Sequence, residues 1–266
     1  MNRNQAFTIL QRAGGIRAAR IITENTKNFS RIRVLIMAHK LRRGVPVAKI
    51  IHQKWFYGLK FYTNRHTLDP RPDTETLVSA VISDCMPDIT PNILDLGTGT
   101  GCIICALCKN IPNAHGTAID KSRRALHVAR KNIHSHQLKD KIKTIRTTFD
   151  RPHNFGDTFD IIVSNPPYIA YGDKRVNDAA THDPKLALYA KNNGLAAYES
   201  IAKNATHWLK PHGKMYLEIG IDMGLDVKNI FMKHGWNLMR TESDFSGIER
   251  VLVFERAHPL NPEYTE

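Results

Sequence analysis

Short apolar runs alternate with amphipathic segments along the chain from residue 92 onward. The apolar runs are typical of buried parallel strands. The segments between them, in which apolar residues recur every three or four positions, are typical of helices. This alternation predicts a parallel sheet with helices on both faces. We predict strands at 93–94, 116–119, 142–145, 159–163, 214–219, 236–241 and 250–255, and helices at 101–110, 122–135, 195–209 and 222–234.

The end of this pattern narrows the fold class. The last two predicted strands are separated only by a short turn region from Asp244 to Glu249. The final strand must therefore return antiparallel, as in the sheet of S-adenosylmethionine-dependent methyltransferases and unlike that of dehydrogenases. The predicted fold class is α/β, with a Rossmann-like sheet of seven strands preceded by a small basic helical segment.

The residues before this pattern predict three further elements. Residues 1–54 are typical of basic helices, with breaks at Gly14-Gly15 and at Gly44-Val45-Pro46. Aromatic and polar side chains alternate over 55–68, which predicts a hairpin. Pro72 then suits the first turn of a helix.

An irregular region interrupts the alternation at 170–193. It is polar and longer than loops that only connect two elements usually are, so we expect it to be a substrate lid. The chain then divides into the basic N-terminal segment at 1–54, a methyltransferase domain at 55–256 and a tail at 257–266.

The net charge of +13 is concentrated near the N-terminus. Residues 1–60 carry a net charge of +12 with a single acid, Glu24, whereas the remaining residues carry +1. Such a segment could contact nucleic acid or the ribosome, dock an acidic protein, or act as a mitochondrial transit peptide. Residues 1–22, which are Arg-containing and acid-free, favour a transit peptide and a mitochondrial location over a cytoplasmic one. A basic helix that packs its apolar side fits the same pattern.

The four cysteines indicate a reducing compartment. Cys102, Cys105 and Cys108 lie within seven positions, unlike the spread-out cysteines of a secreted disulfide framework. No His or acid flanks them, so we expect small buried hydrophobes in a helix and no metal site. The longest apolar stretch, Cys102 to Cys108, is too short to cross a bilayer, and we expect no membrane association.

A glycine-rich loop after the first strand is the candidate cofactor site. Glycines at this position let the backbone turn sharply and approach a ligand. The third glycine of a dinucleotide fingerprint is replaced by Cys102, counted from Gly97, or by Ile104, counted from Gly99, so the loop suits a cofactor without a pyrophosphate. A Gly-x-Gly-x-Gly loop after an acid suits S-adenosyl-L-methionine. The loop consists of Gly97, Thr98, Gly99, Thr100 and Gly101, and it follows Asp95.

Two acids accompany this loop. Asp95 could hold the amino-acid end of the cofactor through water or through the loop. Asp120 ends the second strand, where a carboxylate can accept both ribose hydroxyls. The alternative for Asp120 is the N-cap of the helix at 122–135.

The segment Asn165-Pro166-Pro167-Tyr168 ends the fourth strand and is the candidate catalytic site. An amide nitrogen is a poor nucleophile because its lone pair is delocalised into the carbonyl group. The Asn165 side-chain oxygen and the Pro166 carbonyl can accept its two N–H groups, Pro167 keeps the backbone rigid, and Tyr168 can stack on the planar group. Catalysis would rest on positioning and desolvation, without a covalent nucleophile.

Further segments accompany these motifs. They are Arg43-Gly44-Val45-Pro46 through Phe56 and Phe61, Pro70-Arg71-Pro72-Asp73-Thr74-Glu75, Asp183-Pro184 with Ala187-Leu188, Glu218-Ile219-Gly220, and Asp244 with Gly247 to Val251. Together with the glycine loop, Asp120 and Asn165 to Tyr168, the chain resembles the HemK/PrmC family of protein-glutamine N5-methyltransferases. The resemblance extends from about residue 41 to residue 256.

The chain departs from this family pattern at several positions. The family usually has Glu where Asp183 stands and Gln where Met223 stands. Its members often carry an acid followed by Trp beside the adenine. This chain has Phe149-Asp150, and we take Phe149 as the candidate adenine contact. The N-terminal helical domain is also short.

The resemblance implies methyl transfer from S-adenosyl-L-methionine to the glutamine side-chain nitrogen in the Gly-Gly-Gln motif of a peptide-chain release factor. It implies a release factor as partner, and we expect a monomer without stable nucleic-acid binding. The alternatives are methylation of adenine N6, methylation of a ribosomal-protein glutamine, and an inactive methyltransferase-like scaffold. Confinement of the basic charge to residues 1–60 argues against adenine N6. The intact glycine loop and Asn165 argue against the scaffold.

Overall fold

The computed structural model describes residues 1–86, 88–173 and 181–257. The middle of the predicted lid, 174–180, and almost all of the predicted tail, 258–266, lie outside the described residues. Within the described ranges, every helix is too short or too polar to cross a membrane.

Three helices form the N-terminal segment: α1 (Arg3–Glu24), α2 (Arg31–Arg42) and α3 (Val47–Ile51). A capping box between Asn2 and Gln5 begins α1, and the predicted break occurs at Gly15, whose φ is +85°. The apolar sides of the three helices pack into one cluster, formed by Ala6, Leu10, Ala19, Ile22, Val34, Met37, Ala38 and Ile50.

The predicted hairpin connects this segment to the sheet. Its strands β1 (Gln53–Phe56) and β2 (Leu59–Tyr62) pair antiparallel, and β1 begins two residues before the boundary drawn from the sequence. Tyr57 and Gly58 at the turn have φ values of +48° and +71°, as expected for a two-residue hairpin loop. Phe56 and Phe61 are buried against the main domain.

The remaining helices and strands form the main domain. Its helices are α4 (Glu75–Asp84), α5 (Cys102–Asn110), α6 (Arg123–Ser135), α7 (Lys185–Leu188), α8 (Ala196–Asn204) and α9 (Gly224–Lys233). Its strands are β3 (Asn92–Leu96), β4 (His115–Ile119), β5 (Ile142–Ile145), β6 (Phe159–Ser164), β7 (Ile169–Ala170), β8 (Tyr189–Ala190), β9 (Leu209–Glu218), β10 (Trp236–Ser243) and β11 (Glu249–Arg256).

Seven of these strands form one sheet in the order β10-β11-β9-β6-β3-β4-β5. Strands β9, β6, β3, β4 and β5 are parallel, and β11 pairs antiparallel with both β9 and β10. One apolar cluster involves α4 and α5, and a second involves α8 and α9. The predicted α/β fold with an antiparallel final strand is therefore confirmed.

Among the predicted strands, β9 differs most from its predicted range. The helix predicted at 195–209 ends at Asn204 and is followed by a 3-10 turn, and β9 begins at Leu209 instead of Lys214. Leu209 pairs with Phe159, and the register shifts before Lys214 pairs with Ile161. A side chain at Gly213 would collide with Leu209, at 2.7 Å, so glycine is required at this irregularity. Pro211 and Gly213 conceal the start of the strand in the sequence.

The parallel strands bring the candidate residues to one edge of the sheet. Strands β3, β4, β6 and β9 end at Leu96, Ile119, Ser164 and Glu218, and they neighbour one another in the sheet. The glycine loop, Asp120 and Asn165 follow the first three of these ends directly. In such sheets ligands bind in the crevice at the carboxyl edge.

Candidate active site

The glycine loop is held close to the end of β4 by backbone contacts. The N–H groups of Gly97 and Thr98 both donate to the Ile119 carbonyl, at 3.0 and 2.9 Å. Gly97 and Gly99 have φ values of +74° and +56°, which favour glycine. A Cβ at Gly99 would lie 3.9 Å or more from its neighbours, so the loop backbone faces open space that a ligand can approach.

Gly101 has a different role from the other two glycines. Its φ is +78° at the start of α5, and a Cβ there would lie 3.3 Å from Ala129 of α6. The cavity beside the loop is lined by Gly97, Thr98, Gly99 and Thr100. Gly101 therefore lets α5 pack against α6 behind that wall.

Asp95 supports the loop from within the sheet. It is fully buried, and its Oδ2 accepts a 2.6 Å hydrogen bond from the Thr98 hydroxyl. Burial raises the pKa of Asp95 to about 7, which the hydrogen bond from Thr98 partly offsets. The carboxyl group thus holds Thr98 in place.

Asp120 lies in the wall of the same cavity. Its Oδ2 accepts from the Gly99 N–H at 3.1 Å and its Oδ1 from the Ser122 N–H at 2.8 Å. Ser122, and not Asp120, is the N-cap of α6. Burial raises the pKa of Asp120, while the two backbone hydrogen bonds lower it. Each carboxylate oxygen retains a lone pair for a ligand hydroxyl.

The first cavity, which we call the cofactor cavity, combines this polar wall with an apolar one. Phe149 lies over the loop, with its ring 3.7 Å from where a Gly97 Cβ would be. Asp150 is exposed and accepts from Thr148 instead. The apolar side also includes Ile103, Ile119 and Ala125. Open glycine backbone, a half-buried carboxylate and an aromatic face suit a nucleoside carrying an amino-acid arm.

Asn165 lies between the cofactor cavity and a second cavity, and it lines both. The preceding Ser164 hydroxyl donates to the Leu96 carbonyl at 2.8 Å, which fixes the end of β6 against β3. The Asn165 Nδ2 donates to the Thr74 hydroxyl at 3.1 Å. Pro166 is buried and Pro167 faces the cofactor cavity.

The second cavity, which we call the acceptor cavity, is lined by Tyr168 and Glu218 beside Asn165. Burial raises the pKa of Glu218 to about 7, and interactions with the Thr74 and Asn165 side chains lower it. An ionised carboxylate can only accept hydrogen bonds, so Glu218 favours an Asn165 side chain that turns its Nδ2 toward Thr74 and Glu218. The Asn165 Oδ1 is then left for a ligand donor.

Two glycines leave room for Tyr168. A Cβ at Gly220 would lie 2.9 Å from the Tyr168 ring, and one at Gly194 would lie 2.2 Å from the Tyr168 carbonyl oxygen. Burial raises the pKa of Tyr168 to about 12, so the phenol stays neutral. Its ring forms an apolar wall of the acceptor cavity.

Several residues of the site could not be identified from local sequence signals. Thr74 and Arg250 lie within segments that resemble the family, but the sequence assigned no role to either, and Lys49 counted only as one charge of the basic segment. Lys49 is instead buried, and it forms an ion pair with Asp183, the residue at which the chain departs from the family pattern. Buried pairs between residues so far apart in sequence carry no local signal.

The three clustered cysteines lie in α5. Cys102, Cys105 and Cys108 are all buried, and Cys102 alone reaches the cofactor cavity wall. Burial raises the pKa of each thiol, to about 12 for Cys102 and Cys108, so they remain protonated. Among the residues that the structure describes, no three His, Cys, Asp or Glu side chains are grouped to hold a metal ion.

The chain is similar to known methyltransferases in sequence. The methyltransferase small domain family matches residues 72–183. The release factor glutamine methyltransferase of Agrobacterium fabrum is 39% identical over 230 residues, which cover 84% of this chain and 79% of that protein. The protein of the same description from Streptococcus pneumoniae is 38% identical, covering 88% and 82%.

The fold also matches solved structures. A methyltransferase from Pyrococcus furiosus is similar with a TM-score of 0.55 at 19% identity, over 85% of this chain and 98% of that one. The fold and the similarity to curated relatives lead to the same conclusion. The chain belongs to the family of release factor glutamine methyltransferases, the HemK/PrmC family that its motifs resemble, and S-adenosylmethionine is its methyl donor.

Proposed function

We propose that the protein methylates the side-chain amide nitrogen of the glutamine in the Gly-Gly-Gln motif of a peptide-chain release factor. The observation that carries the proposal is the placement of Asn165. It lies on both cavities, and its Nδ2 is bound to Thr74. Its Oδ1 is therefore available to a substrate N–H at the point where methyl donor and acceptor meet.

The cofactor residues have distinct proposed roles. Gly97, Thr98, Gly99 and Thr100 present the loop backbone to the amino-acid arm, and Asp120 accepts the ribose hydroxyls. Phe149 packs against the adenine. Gly101 and Asp95 act indirectly, because they hold the loop in shape. When bound, S-adenosylmethionine supplies an electrophilic methyl group on a sulfonium.

The acceptor residues compensate for the weak nucleophilicity of an amide. The Asn165 Oδ1 accepts one N–H group and Tyr168 packs against the amide plane, both from the wall of the acceptor cavity. The carbonyl of the buried Pro166 is the proposed acceptor of the second N–H group, and the two acceptors together turn the nitrogen toward the methyl group. Held by the glycine loop and Asp120, the sulfonium would give its methyl group to the electron pair of the nitrogen and keep the electron pair of the S–C bond, and one N–H proton would be lost. The Glu218 carboxylate lines the same cavity, and its pKa of about 7 suits it to accept that proton.

The acceptor is tested with labelled cofactor. We expect label on a release factor bearing Gly-Gly-Gln and none on its Gly-Gly-Ala variant. Single-stranded and duplex DNA and a ribosomal protein are offered in parallel to test the alternatives. Label on DNA, or equal label on the Gly-Gly-Ala variant, would show that another group occupies the acceptor cavity.

A further inference from the structure

A buried lysine from the N-terminal segment lies behind the walls of both cavities. Lys49 in α3 is only 5% exposed. Its Nζ donates to the carbonyl oxygens of Asn64 and Thr67, at 3.0 and 2.9 Å, and to Asp69 Oδ1 at 3.1 Å. The same Nζ lies 2.7 Å from Asp183 Oδ1. One ammonium group thus contacts two regions of the chain that are far apart in sequence.

These two regions supply much of the cavity walls. The connector, residues 63–71, lines the cofactor cavity with six consecutive residues from His66 to Arg71. The Asp183 segment, residues 181–190, lines it with Pro184, Leu186 and Ala187. Three members of these regions, Leu68, Arg71 and Ala187, line both cavities.

Additional contacts hold the Asp183 segment. The Arg71 Nη2 lies 2.7 Å from Asp183 Oδ2, so each oxygen of Asp183 has a cationic neighbour. The neighbouring His182 places its Nε2 3.0 Å from the Arg43 carbonyl. The N-terminal segment therefore contacts two successive residues of the Asp183 segment.

The charges explain why the lysine matters. Asp69 and Asp183 are both buried, and a buried carboxylate is stable only when it is paired and hydrogen-bonded. Lys49 is close to both, and an ammonium offers three donors to several partners. Without it, Asp69 would lose its ion pair, Asp183 would keep only Arg71, and two like charges would face each other.

We propose that Lys49 is a positioning residue of the active site, which binds the connector to the Asp183 segment and so fixes the walls shared by the two cavities. The inference rests on the proposed function only for the acceptor cavity. Its consequence for cofactor binding does not depend on which acceptor is methylated.

The first test is Asp183→Asn, which keeps the shape and the Lys49–Asp69 pair but weakens the hold on the Asp183 segment. We expect the cofactor Kd, measured by calorimetry, to rise roughly tenfold or more. At saturating cofactor and release factor, kcat should change by less than about threefold, because no group that touches the reacting atoms is altered. Hydrogen exchange of the ligand-free protein should speed up in the connector and in the Asp183 segment, but not in α9.

The matched control is Asp160→Asn, which removes an ion pair with Lys210 on the body of the domain.

A double-mutant cycle with Lys49→Met supplies the second test. The variant that carries both Lys49→Met and Asp183→Asn should bind cofactor no more weakly than Lys49→Met alone. If Lys49→Met does not fold, the Asp183→Asn measurements still decide. An unchanged Kd in Asp183→Asn, or the same rise in Asp160→Asn, would overturn the proposal. A wild-type protein that binds cofactor but labels no release factor would refute the proposed function alone.

Discussion

At the scale of single residues, Asn165 carries the chemical step in the proposed mechanism. Asn165→Ala removes the oxygen that orients the acceptor nitrogen but leaves the glycine loop and Asp120 in place. Because small misplacements of reacting groups cost about a hundredfold, we expect turnover to fall by about that factor or more, with cofactor Kd nearly unchanged. The control is Asn154→Ala at an exposed position. A turnover within a few-fold of wild type would remove Asn165 from this role.

Glu218 links the site to stability. Its pKa is about 7 in the folded protein because it is buried, against an ordinary value of 4.5; Asp73 raises this pKa further and Arg250 lowers it. The folded state therefore binds this proton more tightly than the unfolded chain. The contribution to stability is fully present below about pH 4.5 and is lost as the pH rises through 7.

Glu218→Gln should consequently stabilise the protein at alkaline pH. Gln has no charge to bury, so we expect the free energy of unfolding at pH 8 to rise by up to about 3 kcal/mol, with little change at pH 4.5. Asp95, whose pKa is also raised to about 7, titrates in both proteins and cancels in the comparison. Denaturant unfolding at the two pH values measures the difference. A variant that is destabilised equally at both pH values would show that the charge of Glu218 does not lower the free energy of unfolding.

At the scale of elements, the sequence predicted the architecture because hydrophobic periodicity reports burial directly. Strand β6 appears as a continuous apolar run, and α6 shows an apolar stripe, although its N-cap is Ser122 and not Asp120. The start of β9 was missed because Pro211 and Gly213 interrupt the run, and the strand is held there by its pairing with β6. Local patterns fail where tertiary pairing overrides them.

The sequence predicted the part of the site that lies at strand ends. The glycine loop, Asp120 and Asn165 follow strand ends, and a parallel sheet brings strand ends together. The burial of Lys49 was not predictable, because lysine side chains usually face solvent. Its ion-pair partner Asp183 also lies more than a hundred residues away in the sequence. Buried ion pairs become visible only when both partners are placed.

Gly194 lies outside the segment from Asn165 to Tyr168 and tests how a separate element supports that segment. It ends the 3-10 turn Asn192–Gly194 with a φ of +91°, and a Cβ would lie 2.2 Å from the Tyr168 carbonyl. Gly194→Ala must therefore displace Tyr168, and we expect turnover to fall at least about tenfold. Gly156→Ala is the control, since its φ is +78° but its surroundings are open, so only backbone strain of about 1–2 kcal/mol is added. Equal losses in the two variants would mean that strain, and not the Tyr168 contact, is responsible.

At the scale of the whole molecule, the basic segment and the catalytic body are one packed unit. The helices α1 and α2 pack together, both contact α3, and α3 carries Lys49 to the cavity walls. Residues 1–22 supply Ala6, Leu10, Ala19 and Ile22 to the apolar cluster, each fully buried. This packing favours a basic helix that is retained in the folded protein over a cleaved transit peptide.

Removal of residues 1–22 tests that preference. The truncation exposes Val34 and Ile50, and burying a side chain of this size contributes about 1.5–3 kcal/mol, so we expect the unfolding free energy to fall by at least about 3 kcal/mol. Cofactor Kd should rise as well, because α3 loses the support of α1. Point variants separate a buried from an exposed apolar position: Leu10→Ala should reproduce part of the loss, whereas Ile16→Ala, at a position that is 55% exposed, should not. A truncated protein with unchanged stability and Kd would favour a transit peptide, and N-terminal sequencing of the natural protein would then find its start near residue 23.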